Sequence, residues 1–595
     1  MKSAKTQRVI CQNNIPVQKS QVAMILFNPQ RSTFNHLDPN SAALMQKSVA
    51  FFEKKGLAQI KHDDRERLWY EDILEFFKQE QAFATLLTPS GYGAEDSRWD
   101  TTRICAFNEI LGFYSTSYWY TWQVSILGLG PIWISQNETV KKQTAKFLQA
   151  GGIFAFGVSE KEHGADLYAS DMTLKPDGKG GYLANGRKYY IGNGNLASYV
   201  STFGKRPKVD ATDGHEFVFF VSQTSQPEYH CHQNLINSQN YIAEFELKDY
   251  PVSEDEILAS GQAAWDMVLN SINIGKFNLG FAAIGMCTHA FYEAINHAAN
   301  RSLFKHYVTD FVHIRQLFMD AYCRLVAMKA FSTRSIDYFR HASPEDRRYL
   351  LYNPMVKMKV TTQGEEVMNL LWDVIAAKGF EKSTYFEMAV RDIRGLPKLE
   401  GTVHVNMALI IKFMKNYFFN PQAYPELKPI QGLKNDDFLF NQGSTKGLSK
   451  IRFHDYKIAY KSKDLPNLKV FNKQIAHFKQ WLMLCPPNPD QIKDIDFLLI
   501  VGELFTLVAY GQLILEYSNN PQNGLDDDLI EQIFDFMIRD FSKFALQLYS
   551  KTSSTKLQQV LSLRMIAKPV VDKARFERVW QSRVYALKDV YHMQP

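Results

Sequence analysis

Gly181-Tyr-Leu-Ala-Asn-Gly-Arg-Lys-Tyr-Tyr-Ile-Gly-Asn-Gly194 is the stretch whose reading decides the fold. Aromatic and β-branched residues set between Gly and Asn turn formers predict a strand. Working outward, runs of the same texture at 199–203, 216–221 and 243–247 alternate with Gly, Asn, Asp and Pro turns. They predict a small antiparallel β domain over 151–260. On the N-terminal side, 38–150 reads as helices, among them 41–55, 65–80 and 100–109, with a Pro-Ser-Gly-Tyr-Gly loop at 89–93. On the C-terminal side, 265–300, 310–340, 349–378 and 402–418 are long and amphipathic or apolar, which predicts a four-helix bundle over 261–420. Residues 421–447, rich in Pro, Gly and Asn, read as a linker, and 448–595 as further helices. The predicted class is α+β and multi-domain: an N-terminal helical domain, a middle β-barrel domain, a C-terminal four-helix bundle and an additional C-terminal helical domain.

Composition narrows the function. The chain has 595 residues and a net charge of only +6, which implies no nucleic-acid partner. Cys11, Cys105, Cys231, Cys287, Cys323 and Cys485 are scattered without C-x-x-C spacing and read as reduced and intracellular. On a strand, His230-Cys231-His232 would point to alternate faces, and no second cluster completes a tetrahedron, so no metal is expected. Residues 1–37 hold Lys and Arg but no Asp or Glu, one mark of a mitochondrial leader. Pro16 and Pro29 interrupt that segment, so the expectation is a cytoplasmic bacterial protein, with membrane association left open and the mitochondrial matrix as the lesser reading. The apolar run 497–515 contains Glu503 and Gln512 and reads as a core helix rather than a membrane span.

Three separated segments carry the chemistry. The first is Phe156-Gly-Val-Ser-Glu-Lys-Glu-His-Gly-Ala-Asp166, followed by Asn185-Gly-Arg-Lys-Tyr-Tyr-Ile-Gly-Asn-Gly194. The second is Arg301-Ser-Leu-Phe304 at the end of a long predicted helix. The third is Val390-Arg-Asp-Ile-Arg-Gly-Leu-Pro-Lys-Leu-Glu-Gly-Thr402, with Gly379 upstream at matching spacing. In order and spacing, over roughly residues 40–420, these resemble the acyl-CoA dehydrogenase family. That family's pattern is T-E-P-x-A-G-S-D, N-G-x-K-x-W-I-T-N-G, R-x-x-F-G and R-D-x(7)-E-G-T-x-Q. Making a double bond beside a thioester needs a carboxylate base buried enough for its pKa to approach working pH, in a dry pocket that stabilises the enolate.

The resemblance implies FAD between the β domain and the bundle, and Glu400 as the catalytic base. It implies flavin contacts from Val158, Ser159, Tyr190 and Gly192, and from Thr402 and His404. Arg301 and Phe304 would reach the pyrophosphate and adenosine across a subunit interface; a guanidinium suits diphosphate through paired, charge-assisted hydrogen bonds. Ala165 and Lys276 would lie on the substrate side, Lys276 near the CoA moiety. There are departures. Gly192 replaces a Thr whose hydroxyl meets the flavin, Ala165 a Ser, and Ala376-Ala377 a Gly-Gly pair. Lys305 stands for a Gly and Lys161 for a Pro. Gly275 occupies a position that carries the base in some members and here offers no competing carboxylate.

The extension resembles that of very-long-chain dehydrogenases and acyl-CoA oxidases, which implies a homodimer. Lys446 to Lys479 interleaves basic residues with Phe453, Tyr456, Tyr460, Phe471 and Phe478, a pattern suited to peripheral contact with an anionic membrane or to a solvated basic loop. The leading expectation is oxidation of a medium- to long-chain fatty acyl-CoA to the trans-2-enoyl-CoA, the first step of β-oxidation, with electrons leaving through electron-transfer flavoprotein. An acyl-CoA oxidase using O2 is the rival, favoured by Glu160-x-x-His163-Gly164. A flavin monooxygenase on the same fold would lack the Glu. A flavin-binding relative without turnover stays open.

Overall fold

The computed structural model describes residues 25–164, 166–208, 214–430 and 433–595. The N-terminal part is helical: α1 (Pro39–Glu66), α2 (Glu71–Gln79), α3 (Ala82–Leu87), α4 (Thr101–Tyr114), α5 (Thr116–Ile134) and α6 (Glu138–Gln149). Asp38 caps α1 by accepting from the Ser41 amide, with Pro39 in the first turn. The predicted helix 65–80 does not form as one piece, because Arg67 adopts a left-handed conformation that ends α1.

The strands are β1 (Phe154–Gly157), β2 (Thr173–Pro176), β3 (Tyr182–Gly192), β4 (Tyr199–Pro207), β5 (His215–Ser222), β6 (Tyr229–Asn234), β7 (Ile242–Val252) and β8 (Ile257–Ser260). They form one sheet in the order β6-β7-β3-β2-β4-β5-β8, with β1 parallel to β4. The expected barrel is therefore an open path. Its end strands, β6 and β8, are six and four residues long, and β8 leads straight into the next helix. The sheet keeps its own core, with Val200, Phe220 and Phe245 fully buried.

Past the sheet come α7 (Gly261–Asn300), a small hairpin of β9 (Ser302–Leu303) and β10 (His306–Tyr307), α8 (Val312–Arg340), α9 (Tyr349–Met355), α10 (Thr361–Ile375), α11 (Tyr385–Asp392), α12 (Val403–Ile410) and α13 (Met414–Phe419). The predicted 349–378 helix is broken by a π turn at Val356–Val360. Pro354, inside α9 and two residues before the turn, lacks the amide a regular helix would use. α7, α8 and α10 pack on one another, with α4 and α5 against α7.

The extension comprises α14 (Lys457–Tyr460), α15 (Pro466–Leu484), α16 (Pro489–Lys493), α17 (Ile495–Ser518), α18 (Asp527–Ser550), α19 (Lys556–Leu563) and α20 (Lys573–Val579). α17 is long and apolar enough to cross a membrane, yet most of it is buried and it packs on α8, α12 and α18. Its polar residues are matched: Glu503 pairs with Lys359 at 2.9 Å, and Gln512 accepts from the Tyr417 hydroxyl at 2.5 Å. Phe453, Tyr456, Tyr460, Phe471 and Phe478 are all buried. The aromatic half of the 446–479 pattern is thus core packing, not surface.

Candidate active site

Glu400 stands just before α12, and its own backbone is in the left-handed region at φ 52°, followed by Gly401 at φ 87°. A non-glycine residue held there costs on the order of 1–3 kcal/mol, so neighbours must hold it. The clamp is Lys357. This lysine is fully buried on the π turn, and its Nζ donates to the carbonyls of Pro397 at 2.7 Å and Gly401 at 2.5 Å, on either side of Glu400. Asn406 adds a hydrogen bond to the Gly401 carbonyl at 3.0 Å.

The residue is half-buried, but its Oε2 is out of solvent and has no hydrogen-bond partner. Oε1 accepts from Gln123 Nε2 of α5 at 2.5 Å. Burial raises the carboxyl to about 7 against the opposing pull of the Gln123 hydrogen bond and of Lys357 and Lys276. The same burial lowers Lys357 to about 7 and Lys276 to about 8, while Glu400 pulls both the other way. A side chain at Gly275 would place Cβ 3.2 Å from Glu400 Oε2 and 2.9 Å from Gln123 Nε2, so α7 approaches Glu400 closely because residue 275 is glycine. A carboxylate with one oxygen engaged, the other free and a pKa near neutrality has the properties of a general base.

One turn from Gln123 on the same face of α5 lies buried Tyr120. It reaches the end of β3, where a Cβ on Gly192 would sit 2.7 Å from the Tyr120 ring and 2.9 Å from its hydroxyl. The side-chain space missing at 192 is therefore filled from α5. Val158 is buried at the end of β1, with its carbonyl accepting from Lys188 Nζ at 3.1 Å. The Ser159 hydroxyl donates to the Tyr189 carbonyl at 2.6 Å. Tyr190 lies at a register irregularity of β3, has φ 63°, and is 62% exposed. Thr402 and His404 are exposed at the head of α12. Ala165 lies outside the described residues.

Lys276, read from the sequence as lying near the CoA moiety, is buried on α7, and its charge acts on Glu400. Arg301 and Phe304 are not brought to Glu400 within the chain. They lie past the C-terminal end of α7, roughly 39 Å along the helix from Gly275 at about 1.5 Å per residue. Both are exposed, Phe304 by 87% and in a left-handed conformation. Two strained or outlying aromatics, Tyr190 and Phe304, thus present bare ring surface of the sort a planar ligand or a second subunit would cover.

Glu160 is structural. Its oxygens accept from Lys188, Ser170 and the amides of Asp171 and Met172, which ties the 158–172 loop to β3. Its ligand atoms lie within 4.8 Å of those of His163 and Asp171, but those donors already occupy it. Two cavities of about 1260 and 290 Å³ open elsewhere, the larger between residues 25–37, α8 and the extension, and neither reaches Glu400. Tyr120, Gln123 and Lys357 were missed from sequence; a lone amide in the apolar 116–134 run and lysines inside the apolar 355–360 run were the signals available.

Comparison with known proteins bears on the fold and the family. Residues 264–415 match the family model for the acyl-CoA dehydrogenase C-terminal domain. The very long-chain specific acyl-CoA dehydrogenase of Rattus norvegicus is 24% identical over 369 residues, 60% of this chain and 54% of that protein. The chain thus spans about half the length of that relative. The 3-sulfinopropanoyl-CoA desulfinase of Cupriavidus necator is 22% identical over 338 residues, 55% of this chain and 82% of the relative. An acyl-CoA dehydrogenase of Bacillus anthracis, solved in complex with FAD, superposes with a TM-score of 0.71 over 95% of this chain and 97% of its own, at 15% identity. That likeness shows the fold across nearly the whole chain, extension included. The resemblance read from the motifs is the one these matches return.

Proposed function

We propose that this chain, a relative of acyl-CoA dehydrogenases by its 264–415 domain, its sequence matches and its fold, is an oxidoreductase that binds FAD and desaturates an acyl-CoA thioester between Cα and Cβ. The observation that carries the reading is Glu400: buried at Oε2, raised to about 7 and fixed by Gln123 and Lys357. Oε2 takes the α-proton, while Oε1 stays bound to Gln123. The positive charges of Lys276 and Lys357 offset the carboxylate before transfer and lose part of that partner after it. When bound, FAD would supply the acceptor for the hydride leaving Cβ. Tyr190, the main chain at 158–159 and 192, Thr402 and His404 are the residues of this chain that would hold it. Arg301 and Phe304 would hold the flavin of a second copy, which makes a homodimer part of the proposal.

The finer reading is a medium- to long-chain fatty acyl-CoA, supported by the very-long-chain relative, with electrons passed to electron-transfer flavoprotein and a cytoplasmic location. Peripheral membrane contact in this reading falls to exposed Leu546, Leu557, Val560 and Val571 rather than to the buried aromatics of 446–479. The test is anaerobic addition of saturated acyl-CoAs of increasing length to the FAD-loaded protein. Bleaching of the flavin with at least one of them is expected, and a flavin left oxidised by all of them sinks the reading. Peroxide formed in proportion to enoyl product in air would instead identify an oxidase.

A further inference from the structure

Behind Gln123 lies an unbroken line of buried polar side chains. The Trp119 indole Nε1 donates to Asn108 Oδ1 at 2.7 Å. Asn108 Nδ2 donates to Asn278 Oδ1 at 2.8 Å, and its second proton goes to the Ile104 carbonyl at 2.7 Å. Asn278 Nδ2 donates to Gln123 Oε1 at 2.7 Å. Gln123 Nε2 then donates to Glu400 Oε1 at 2.5 Å and to the Gly275 carbonyl at 3.2 Å. Trp119, Asn108 and Gln123 are fully buried and Asn278 nearly so.

The ends of this line set its direction. An indole N–H only donates and a carboxylate only accepts. With a donor at one end and an acceptor at the other, a single orientation of the three amides satisfies every link. Turning Gln123 over would set its carbonyl against the carboxylate and its amine against that of Asn278. A buried amide left facing the wrong way forfeits its hydrogen bonds at a cost comparable to leaving polar groups unpaired.

We infer that Trp119, Asn108, Asn278 and Gln123 form a positioning relay across α4, α5 and α7 that holds Gln123 as a donor to Glu400 and reserves Oε2 for the substrate proton. The inference rests on the base assigned above. None of the four need touch the substrate; each acts through the next. The charged groups that act on Glu400 are Lys276 from α7 and Lys357 from the π turn, the buried Tyr120 phenol from α5 is itself raised by Glu400, and the relay adds the neutral Gln123 donor aimed at Oε1. A purely structural role would tie the helices together without preferring this direction.

The experiment is an infrared pH titration of the Glu400 carboxyl, taken as the difference from Glu400→Gln, which needs no substrate. It is paired with α-proton exchange of octanoyl-CoA in D2O as a function of pH. Asn278→Leu removes the N–H that orients Gln123 without adding a charge. Gln123→Met deletes the last link, and Trp119→Phe removes the remote anchor without touching charge. The relay requires the titration to move up by about one pH unit or more in Gln123→Met and Asn278→Leu, and in the same direction by less in Trp119→Phe. A midpoint unmoved in folded Gln123→Met, or in Trp119→Phe, overturns it. Absence of exchange or flavin bleaching in the wild type would defeat the proposed reaction instead, while the infrared titration would still judge the relay.

Discussion

Glu400 combines a strained backbone, one engaged oxygen and one free oxygen, and each has a measurable consequence. Glu400→Gln should cut α-proton exchange by at least about 100-fold, the range for losing a positioned base, while FAD content stays at the wild-type level; equal exchange rates would refute the assignment. The base must be ionised to act, so the rate should rise with pH through a limb near the raised carboxyl pKa of about 7. The sign for stability runs opposite. A carboxyl whose folded pKa exceeds its unfolded value stabilises the fold below the unfolded pKa and loses that contribution as pH rises through about 7. The thermal midpoint of Glu400→Gln at pH 8 should therefore match or exceed that of the wild type, and a marked drop there would contradict the burial argument. Glu400 was legible from its sequence frame; the strain in its backbone was not, because φ depends on what clamps the loop.

At the scale of elements, α5 and β3 share one volume, with Tyr120 occupying what Gly192 leaves. Gly192→Ala should destabilise by about 1–3 kcal/mol, the usual range for overpacking. In a Tyr120→Leu background the same change should cost measurably less. Denaturant unfolding of the four proteins of that cycle decides the matter, and strictly additive effects would mean the two positions do not compete. The π turn that carries Lys357 is the other local device. Lys357→Met should leave the Pro397 carbonyl unpaired and the Gly401 carbonyl with only its Asn406 bond, and raise amide exchange selectively around 397–403. Unchanged exchange there would show that the loop is held by something else. The strand positions were readable from turn residues. The π turn was not, since it depends on how α9 and α10 pack after Pro354.

Across the whole molecule, the distance between Glu400 and Arg301 along α7 means one chain cannot bring both to one ligand. In the proposed dimer each site takes its base from one copy and its Arg301 from the other. Mixing Glu400→Gln with Arg301→Ala protomers should then restore activity above that of either variant alone, through the one site in each mixed dimer that keeps both residues. No recovery after verified subunit exchange would remove the shared-site arrangement. The extension is joined to the bundle by a continuous core, with Phe418 on α13 packed edge-on to Phe478 of α15 and tilted against Phe505 of α17. It is built into the fold rather than tethered to it.

The sequence by itself determined the helix–sheet–helix order, the frame around Glu400 and the likeness to acyl-CoA dehydrogenases, because hydrophobic period, turn chemistry and motif spacing are local properties written along the chain. Only the tertiary structure decided that Tyr120 fills the space beside Gly192, that Lys276 faces inward and that Gln123 and Lys357 hold Glu400 and its loop. Those facts arise where α5, α7 and the π turn meet, between residues far apart in sequence. At such junctions packing, not propensity, selects which polar groups are buried and what they must pair with.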